Sequence, residues 1–189
     1  MLLARTEELS RYLIGKLLIS DLGEGRTSGR IVEVEAYLTG DPASHAYRGK
    51  TPRNAAMFLE RGHAYVYRIY GTSWCLNISS EEFEVGEAIL IRALEPCGGI
   101  ALMRERRPGI ADRDLLRGPG RLCAALGIDK SVDGIDLCAR GSPLRLFDDG
   151  ERPAVGVSTR IGVTKASERE LRFYARGSSW LSGRSSLSP

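Results

Sequence analysis

Residues 29–48, GRIVEVEAYLTGDPASHAYR, constrain the fold most, because a long strand-like segment passes directly into a tight turn. Read with a period of two, one face of this segment is apolar and suits a core, while the other carries two carboxylates and a phenol. The two faces are Arg30, Val32, Val34 and Ala36, and Ile31, Glu33, Glu35 and Tyr37. A Gly-Asp-Pro turn at 40–42 then brings in His45. A carboxylate, a phenol and an imidazole are therefore predicted to converge, although a half-buried strand with a wetted outer face fits the same pattern.

A second strong feature is a predicted β-hairpin, in which strand-like runs at 64–70 and 74–79 flank a short turn. Tyr65 and Trp74 have the positions of core or cross-strand aromatic residues. Tyr70 differs, because it lies at the tip, where an exposed ring has little use unless something binds there. A DNA duplex is one such ligand, since aromatic and apolar side chains insert between its base steps. Asn77 falls on the polar side of the second strand.

Residues 87–96 form another predicted strand, which is apolar almost throughout and is therefore placed centrally in a sheet. Arg92 interrupts this run, and a buried arginine requires a partner, for which a carboxylate of the first strand is available. Further strands are predicted at 144–147, 154–160 and 171–175, with short helices between them. The pattern indicates a single α+β domain over residues 1–182, and the Ser-rich end of the chain at 183–189 is predicted to be a disordered tail.

The composition narrows the functional classes without naming one. Only four of the 27 basic residues are lysines, and arginine suits phosphate contacts, although a GC-rich genome produces the same bias. The four cysteines are scattered and there are two histidines, so neither a metal site nor a disulfide framework is predicted. No nucleotide-binding glycine motif, signal peptide or long apolar run is evident. We expect a cytoplasmic monomer that needs no cofactor and binds no membrane.

Eight blocks of sequence, taken together, resemble the alkyladenine (3-methyladenine) DNA glycosylase family. In order they are RIVEVEAY, ASH, KTPRNAAMF, YVYRIYG, CLNISS, LIRALEP, GPGRLCAALGID and LRFYARGSSW. Each block alone is weak, but all eight occur in register from about residue 3 to residue 180. The resemblance implies a curved, mostly antiparallel, open-barrel-like β-sheet with short helices around it and a protruding β-hairpin. It also implies a substrate of double-stranded DNA that contains damaged purines.

The resemblance also implies roles for the residues that act on the sugar and on the duplex. Glu35 matches the general base that activates water, and Arg92 matches its partner in holding that water. Tyr70 matches the side chain that fills the space left by a flipped nucleotide. Thr72 stands beside it, where some members of the family have a larger apolar residue. Glu33 lies one pleat before Glu35, and we expect it to pair with an arginine or to face solvent.

The remaining implied roles belong to a pocket for the flipped base. Tyr37, His45 and Tyr67 match a sandwich of rings around that base, and Tyr37 and Tyr67 stack on it. Asn77 matches the residue that obstructs the exocyclic amine of normal guanine. Ala43 lies in the loop that leads to His45 and is assigned to the same pocket. The loop at 38–43 is slightly shorter than in vertebrate members, which affects base selectivity.

The implied reaction is hydrolysis of the N-glycosidic bond of 3-methyladenine, 7-methylguanine or a deaminated or etheno-modified purine, which leaves an abasic site. Loss of a purine passes through an oxocarbenium-like sugar, so a carboxylate near the sugar is the group that the chemistry needs. No lysine is placed as an amine nucleophile, and attack by water without strand cleavage is therefore expected. Two alternatives fit less well: a non-catalytic nucleic-acid-binding module, and a small-molecule nucleoside hydrolase that would leave Tyr70 unused.

Overall fold

The computed structural model describes residues 5–183. Within this range there are three α-helices, α1 (Thr6–Leu13), α2 (Ile100–Arg106) and α3 (Pro119–Leu126). The strands are β1 (Leu17–Ser20), β2 (Thr27–Tyr37), β3 (Ala64–Ile69), β4 (Ser73–Ser79), β5 (Ala88–Gly98), β6 (Leu144–Phe147), β7 (Val155–Ser158) and β8 (Arg172–Ala175). Short 3₁₀ turns occupy Ala55–Phe58, Asp112–Asp114 and Lys130–Val132. The predicted α+β class is confirmed.

All eight strands belong to one antiparallel sheet, which curls into a half-barrel. Its main path runs β3-β4-β5-β2-β1-β6, and β8 joins β2 and carries β7. The predicted hairpin is β3 and β4, which pair from Ala64 opposite Ile78 to Ile69 opposite Ser73. The predicted central strand is β5, which pairs with β4 on one side and β2 on the other. Period-two patterning therefore located the strands that matter for the site.

Strand β2 has neighbouring strands on both edges. One edge pairs with β5, while the other pairs with β1 near its start and with β8 from Glu33 to Glu35. Both faces are also covered, so that Ile31, Glu33 and Glu35 are all 0% exposed. Register shifts on either side of Glu33 interrupt the regular alternation. The alternative of a wetted outer face is thus wrong, because this strand is interior to the sheet rather than half-buried.

The main core lies between the sheet and the helices. Leu9 and Leu13, one turn apart on α1, pack into it from one end, and Leu122 and Leu126 do the same from α3. A second, smaller cluster of buried side chains lies under the loop that follows β2. It consists of Ala56, Met57, Phe58, Tyr65 and Ala88. This cluster anchors the 3₁₀ turn at Ala55–Phe58 and the segment that carries His45.

The end of the described chain is part of the packed domain. Leu181 and Ser182 are buried, and Ser182 forms hydrogen bonds with the carboxylate of Glu33. The domain therefore extends past Trp180 at least to Ser182. Of the segment 183–189 that was predicted to be disordered, residues 184–189 lie outside the described residues.

Candidate active site

The Glu35 carboxylate lies near the end of β2 and is wholly enclosed by protein. Its Oε1 accepts a hydrogen bond from the backbone N–H of Ile161 at 2.7 Å. Its Oε2 accepts one from the Tyr37 hydroxyl at 3.0 Å and lies 3.2 Å from Nη1 of Arg92. All three neighbours are donors, which suits an ionised carboxylate. The predicted pairing of Arg92 with a carboxylate of β2 is confirmed.

Glu33 is also wholly buried, but its surroundings differ from those of Glu35. Its Oε1 accepts hydrogen bonds from Nε of Arg172 at 2.6 Å, Oγ of Ser182 at 2.9 Å and Nε of Arg92 at 3.3 Å. Its Oε2 accepts the backbone N–H of Ser182 at 2.5 Å. The expectation of an arginine partner is confirmed, and the alternative of exposure to solvent is wrong. Arg92 therefore bridges the two carboxylates and belongs to a buried network with two negative and two positive side chains.

A cavity of about 320 Å³ opens beside this network. Every side chain assigned to the base pocket lines it, as do the arginine assigned to catalysis and the aromatic residue at the hairpin tip. These residues are Tyr37, Ala43, His45, Tyr67, Tyr70, Asn77 and Arg92. Glu35 lies behind them and reaches the cavity through its contacts with Tyr37 and Arg92. Thr72 is exposed in the hairpin turn and does not line the cavity.

Three aromatic rings meet at one wall of this cavity. His45 lies edge-on to Tyr67, with ring centroids 4.5 Å apart, and Tyr65 stacks on Tyr67 at 5.3 Å. Nδ1 of His45 is 2.9 Å from the Tyr65 hydroxyl. The sequence interpretation placed Tyr65 only in the core, whereas the structure shows a buried ring whose hydroxyl contacts His45. Desolvation by the surrounding protein, together with Arg53, holds the pKa of His45 below its usual value.

The polar groups of the other aromatic residues are held in their neutral forms. Burial, assisted by the adjacent charge of Glu35, raises the pKa of the Tyr37 hydroxyl. Burial likewise raises the pKa of Tyr67, with a smaller contribution from Cys75. Tyr37 therefore remains a hydrogen-bond donor to Glu35. Asn77 is buried and its Nδ2 donates to the backbone carbonyl of Tyr65 at 3.2 Å.

An ion pair missed by the sequence interpretation supports the Tyr37 side of the pocket. The guanidinium of Arg160 lies 4.7 Å from the Tyr37 ring centroid and forms a fully buried pair with Asp41. Arg160 also donates to the carbonyl of Ala36 at 3.2 Å. Arg160 lies against the Tyr37 ring, and the next residue in the chain, Ile161, lies where its backbone N–H donates to Glu35. Asp41 had been interpreted only as a turn residue, and its partner is 119 positions away in the sequence.

The hairpin tip holds Tyr70 in an unusual conformation. Tyr70 and Gly71 have φ angles of 53° and 70°, and the N–H of Thr72 donates to the carbonyl of Ile69 at 3.3 Å. Two successive positive φ angles are typical of a type I′ turn, in which glycine and asparagine are favoured and a tyrosine is strained by about 1 kcal/mol. The Tyr70 side chain is nevertheless 89% exposed. A strained aromatic side chain that is almost fully exposed is a candidate for binding rather than for packing.

Other kinds of site are not found in the described part of the chain. Residues 5–183 contain no group of three or more histidine, cysteine or acidic side chains that could hold a metal ion. All four cysteines are free, and two of them, Cys75 and Cys123, are buried. Among the helices described, none is long and apolar enough to cross a membrane.

The site is a cavity lined by aromatic rings beside a buried carboxylate and an arginine, an arrangement typical of hydrolytic enzymes. Comparison with known proteins gives the family. The sequence model of the methylpurine-DNA glycosylase (MPG) family matches residues 1–179. The chain belongs to this family and is therefore a DNA glycosylase, as the sequence resemblance implied.

Individual relatives cover almost the whole chain. The chain is 60% identical over 183 residues to a protein of Mesorhizobium japonicum, in an alignment that covers 96% of this chain and 88% of the relative. It is 53% identical to a protein of Paraburkholderia phytofirmans, with coverage of 94% and 84%. It is 46% identical to one of Methanoculleus marisnigri, with coverage of 95% and 94%. All three relatives are provisionally named 3-methyladenine DNA glycosylase.

Proposed function

We propose that this enzyme flips an alkylated or deaminated purine out of double-stranded DNA into the cavity and hydrolyses its N-glycosidic bond. The proposed substrates are 3-methyladenine and 7-methylguanine, with hypoxanthine and ethenoadenine as neutral candidates. Glu35 is the proposed general base, and Arg92 orients it and the attacking water. The product is an abasic site in an otherwise intact strand.

The observation that carries this proposal is the difference in hydrogen bonding between the two carboxylates. An ionised carboxylate can accept about four hydrogen bonds. Glu33 accepts four, from two arginines and from the backbone and side chain of Ser182, and so has no capacity left. Glu35 accepts two hydrogen bonds and one ion-pair contact. By this count of bonds among residues 5–183, Glu35 keeps capacity for a water molecule, and its partners Tyr37 and Arg92 line the cavity.

For a cationic alkylated purine, the proposed reaction uses the groups of the site and one water molecule. As the bond between C1′ and the purine nitrogen breaks, its electron pair leaves with the base and the sugar becomes oxocarbenium-like. Glu35 offsets the positive charge of the sugar and takes a proton from the water that attacks C1′. An alkylated purine already carries positive charge, so the departing electron pair neutralises it without a strong acid. Tyr37 and Tyr67 supply flat walls on which such a base stacks.

The direct test uses duplexes that each carry one defined lesion. Each duplex is incubated with the protein, and abasic sites are then cleaved with alkali. We expect cleavage at 3-methyladenine and 7-methylguanine, and none before alkali treatment. Absence of cleavage at every alkylated and deaminated purine would contradict the proposal, and retained affinity for damaged DNA in that case would indicate a non-catalytic module. Equal turnover of the free nucleoside would favour a nucleoside hydrolase.

Replacement of Tyr70 by Ala is expected to weaken base flipping. The ring is the most exposed aromatic side chain at the pocket, and loss of one stacking platform costs about 1–3 kcal/mol. Flipping of a fluorescent modified base in a duplex should therefore weaken by about tenfold. Phe147→Ala is the matched control, because Phe147 is 52% exposed on β6, at the opposite end of the main strand path. An unchanged flipping signal in Tyr70→Ala would exclude the wedge role.

The depressed pKa of His45 predicts the dependence of the reaction on pH. His45 is neutral at pH 7, and protonation as the pH falls below about 6.5 would place a cation beside a cationic base. Excision of 3-methyladenine should therefore slow on the acid side, and His45→Gln should flatten that part of the profile of kcat/KM. If kcat/KM fell equally steeply on the acid side in the wild-type protein and in His45→Gln, this role of His45 would be contradicted.

The same pKa shift affects stability, which the experiment must separate from activity. Because the folded-state pKa of His45 lies below the unfolded value, protons bind more tightly to the unfolded chain. The fold therefore loses stability as the pH falls below about 6.5. Thermal melts at each pH establish that the enzyme remains folded under the assay conditions.

A further inference from the structure

A second concave surface adjoins the base pocket on one side of the hairpin. We call it the hairpin groove; it encloses about 490 Å³ between the hairpin and the loop before the first 3₁₀ turn. Arg53, Tyr67, Arg68, Gly71, Trp74 and Lys130 line it. Tyr67 also lines the base pocket, so one ring forms a wall of both. A nucleotide whose base occupies the pocket therefore has neighbouring nucleotides within reach of this groove.

Two arginines of the groove have no carboxylate partner in the part of the chain that the structure describes. Arg53 and Arg68 are exposed, and within residues 5–183 neither forms a salt bridge with a carboxylate. Some exposed arginines elsewhere do form one, as Arg104 does with Asp112 and Arg152 does with Asp148. The third cation of the groove, Lys130, is paired with Asp133 at 2.7 Å.

The two free guanidinium groups are nonetheless held in place. The Arg68 guanidinium lies over the Trp74 ring, 5.7 Å from its centroid. Nη2 of Arg53 donates to the backbone carbonyl of Arg68 at 3.4 Å. Ordering of a long side chain costs entropy, so guanidinium groups held beforehand lose less on binding. Fixed, unpaired arginines in an open groove with aromatic walls suit the phosphates of a nucleic-acid strand.

A groove on the other side of the hairpin differs in the partners of the arginines that line it. It is lined by Tyr70, Arg107 and Arg121, among others. Arg107 donates to the carbonyls of Asp114 and Leu115 at 2.7 Å, and Arg121 pairs with the Asp114 carboxylate at 3.3 Å. On this side, therefore, Arg121 is ion-paired and Arg107 is half-buried, with its guanidinium held by two backbone carbonyls. The asymmetry selects the hairpin groove.

We infer that the hairpin groove binds the phosphate backbone of the substrate DNA, with Arg53 and Arg68 each neutralising one phosphate beside the flipped nucleotide. The inference rests on the proposed function, since it extends the same binding surface. It assigns Arg53 and Arg68 to affinity, not to chemistry. Each phosphate contact contributes about 0.9 to the slope of log affinity against log salt concentration.

The test measures binding of the full chain to a duplex that carries a stable abasic-site analogue, over a series of potassium chloride concentrations. Arg53→Ala and Arg68→Ala should each reduce the salt slope by about one and weaken binding about fivefold at physiological salt. Arg68→Lys should retain the slope. Arg104→Ala is the matched control, because it removes one exposed charge that is already paired with Asp112.

Three results would overturn the inference: unchanged slopes in Arg53→Ala and Arg68→Ala, an equal change in Arg104→Ala, or a larger change in Arg121→Ala. Excision under saturating protein in a single turnover should remain at the wild-type rate in the control variant Arg104→Ala. If the protein excises lesions but Arg53→Ala and Arg68→Ala leave the salt slope unchanged, the role of the hairpin groove is contradicted and the proposed function is not. If both variants reduce the salt slope but the protein excises no lesion, the proposed function is contradicted and the role of the groove is not. Thermal melts show whether each variant is folded.

Discussion

Glu35→Gln is expected to stop base release while the protein still binds damaged duplex DNA. The amide keeps the shape of the side chain, and its one oxygen can still accept from Ile161 or from Tyr37, but it cannot take a proton from water. Loss of a general base lowers rates by about 10²–10⁴-fold. Single-turnover excision of 3-methyladenine measures this effect, and equilibrium binding to the same duplex measures affinity.

The control for Glu35→Gln needs a carboxylate change that leaves the site intact. Glu84→Gln meets this requirement, because Glu84 is exposed and, within residues 5–183, its one ion pair is with Lys50. That variant should excise at the wild-type rate. If Glu35→Gln remained active while Glu33→Gln was inactive and folded, the assignment of the general base would be wrong.

Glu33→Gln is expected to act mainly on stability. Its carboxylate is the shared acceptor of Arg92 and Arg172, and a neutral amide would leave buried positive charge uncompensated. Breaking one side of a buried ion network costs about 3–5 kcal/mol. For a chain of this size the melting temperature should fall by about 10 °C. Differential scanning calorimetry or thermal circular dichroism measures the change.

Glu84→Gln again provides the comparison. Its pair with Lys50 is solvent-exposed on both sides, and such pairs contribute about 0–1 kcal/mol. If Glu33→Gln had the same melting temperature as Glu84→Gln, the buried network would not be needed for stability. Some loss of excision in Glu33→Gln is also expected, because Glu33 positions Arg92, but it should remain smaller than the loss in Glu35→Gln.

Much of the fold was predictable because its strands carry local signals. The hairpin has apolar alternation on both sides of a glycine turn, and the central strand β5 is a continuous apolar run. The buried Arg92 was also informative, since an arginine in such a run requires a carboxylate. Resemblance to a family supplied the roles of the pocket residues, and all of the residues assigned to the base pocket line one cavity.

The buried polar contacts were not predictable, because they join residues that are far apart in sequence. Asp41 meets Arg160 across 119 positions, and Glu33 meets Ser182 across 149. Spacing and periodicity do not predict such pairs, because periodicity describes the faces of one helix or strand and not the elements that pack against it. Tyr65 illustrates a different limit. Its burial follows from its pattern, but the contact of its hydroxyl with His45 depends on how a loop folds over the sheet.

The α+β class, the central strands, the exposed Tyr70 and the two carboxylates one pleat apart on β2 all follow from local sequence patterns. The different surroundings of those two carboxylates appear only in the folded chain. Both are fully buried, so burial does not distinguish them. The number of donors around each does: Ser182 and Arg172 complete the hydrogen bonding of Glu33, while Glu35 beside the cavity keeps capacity for a water molecule. That difference arises because β8 and the end of the chain pack against Glu33, and such packing is set by the whole fold.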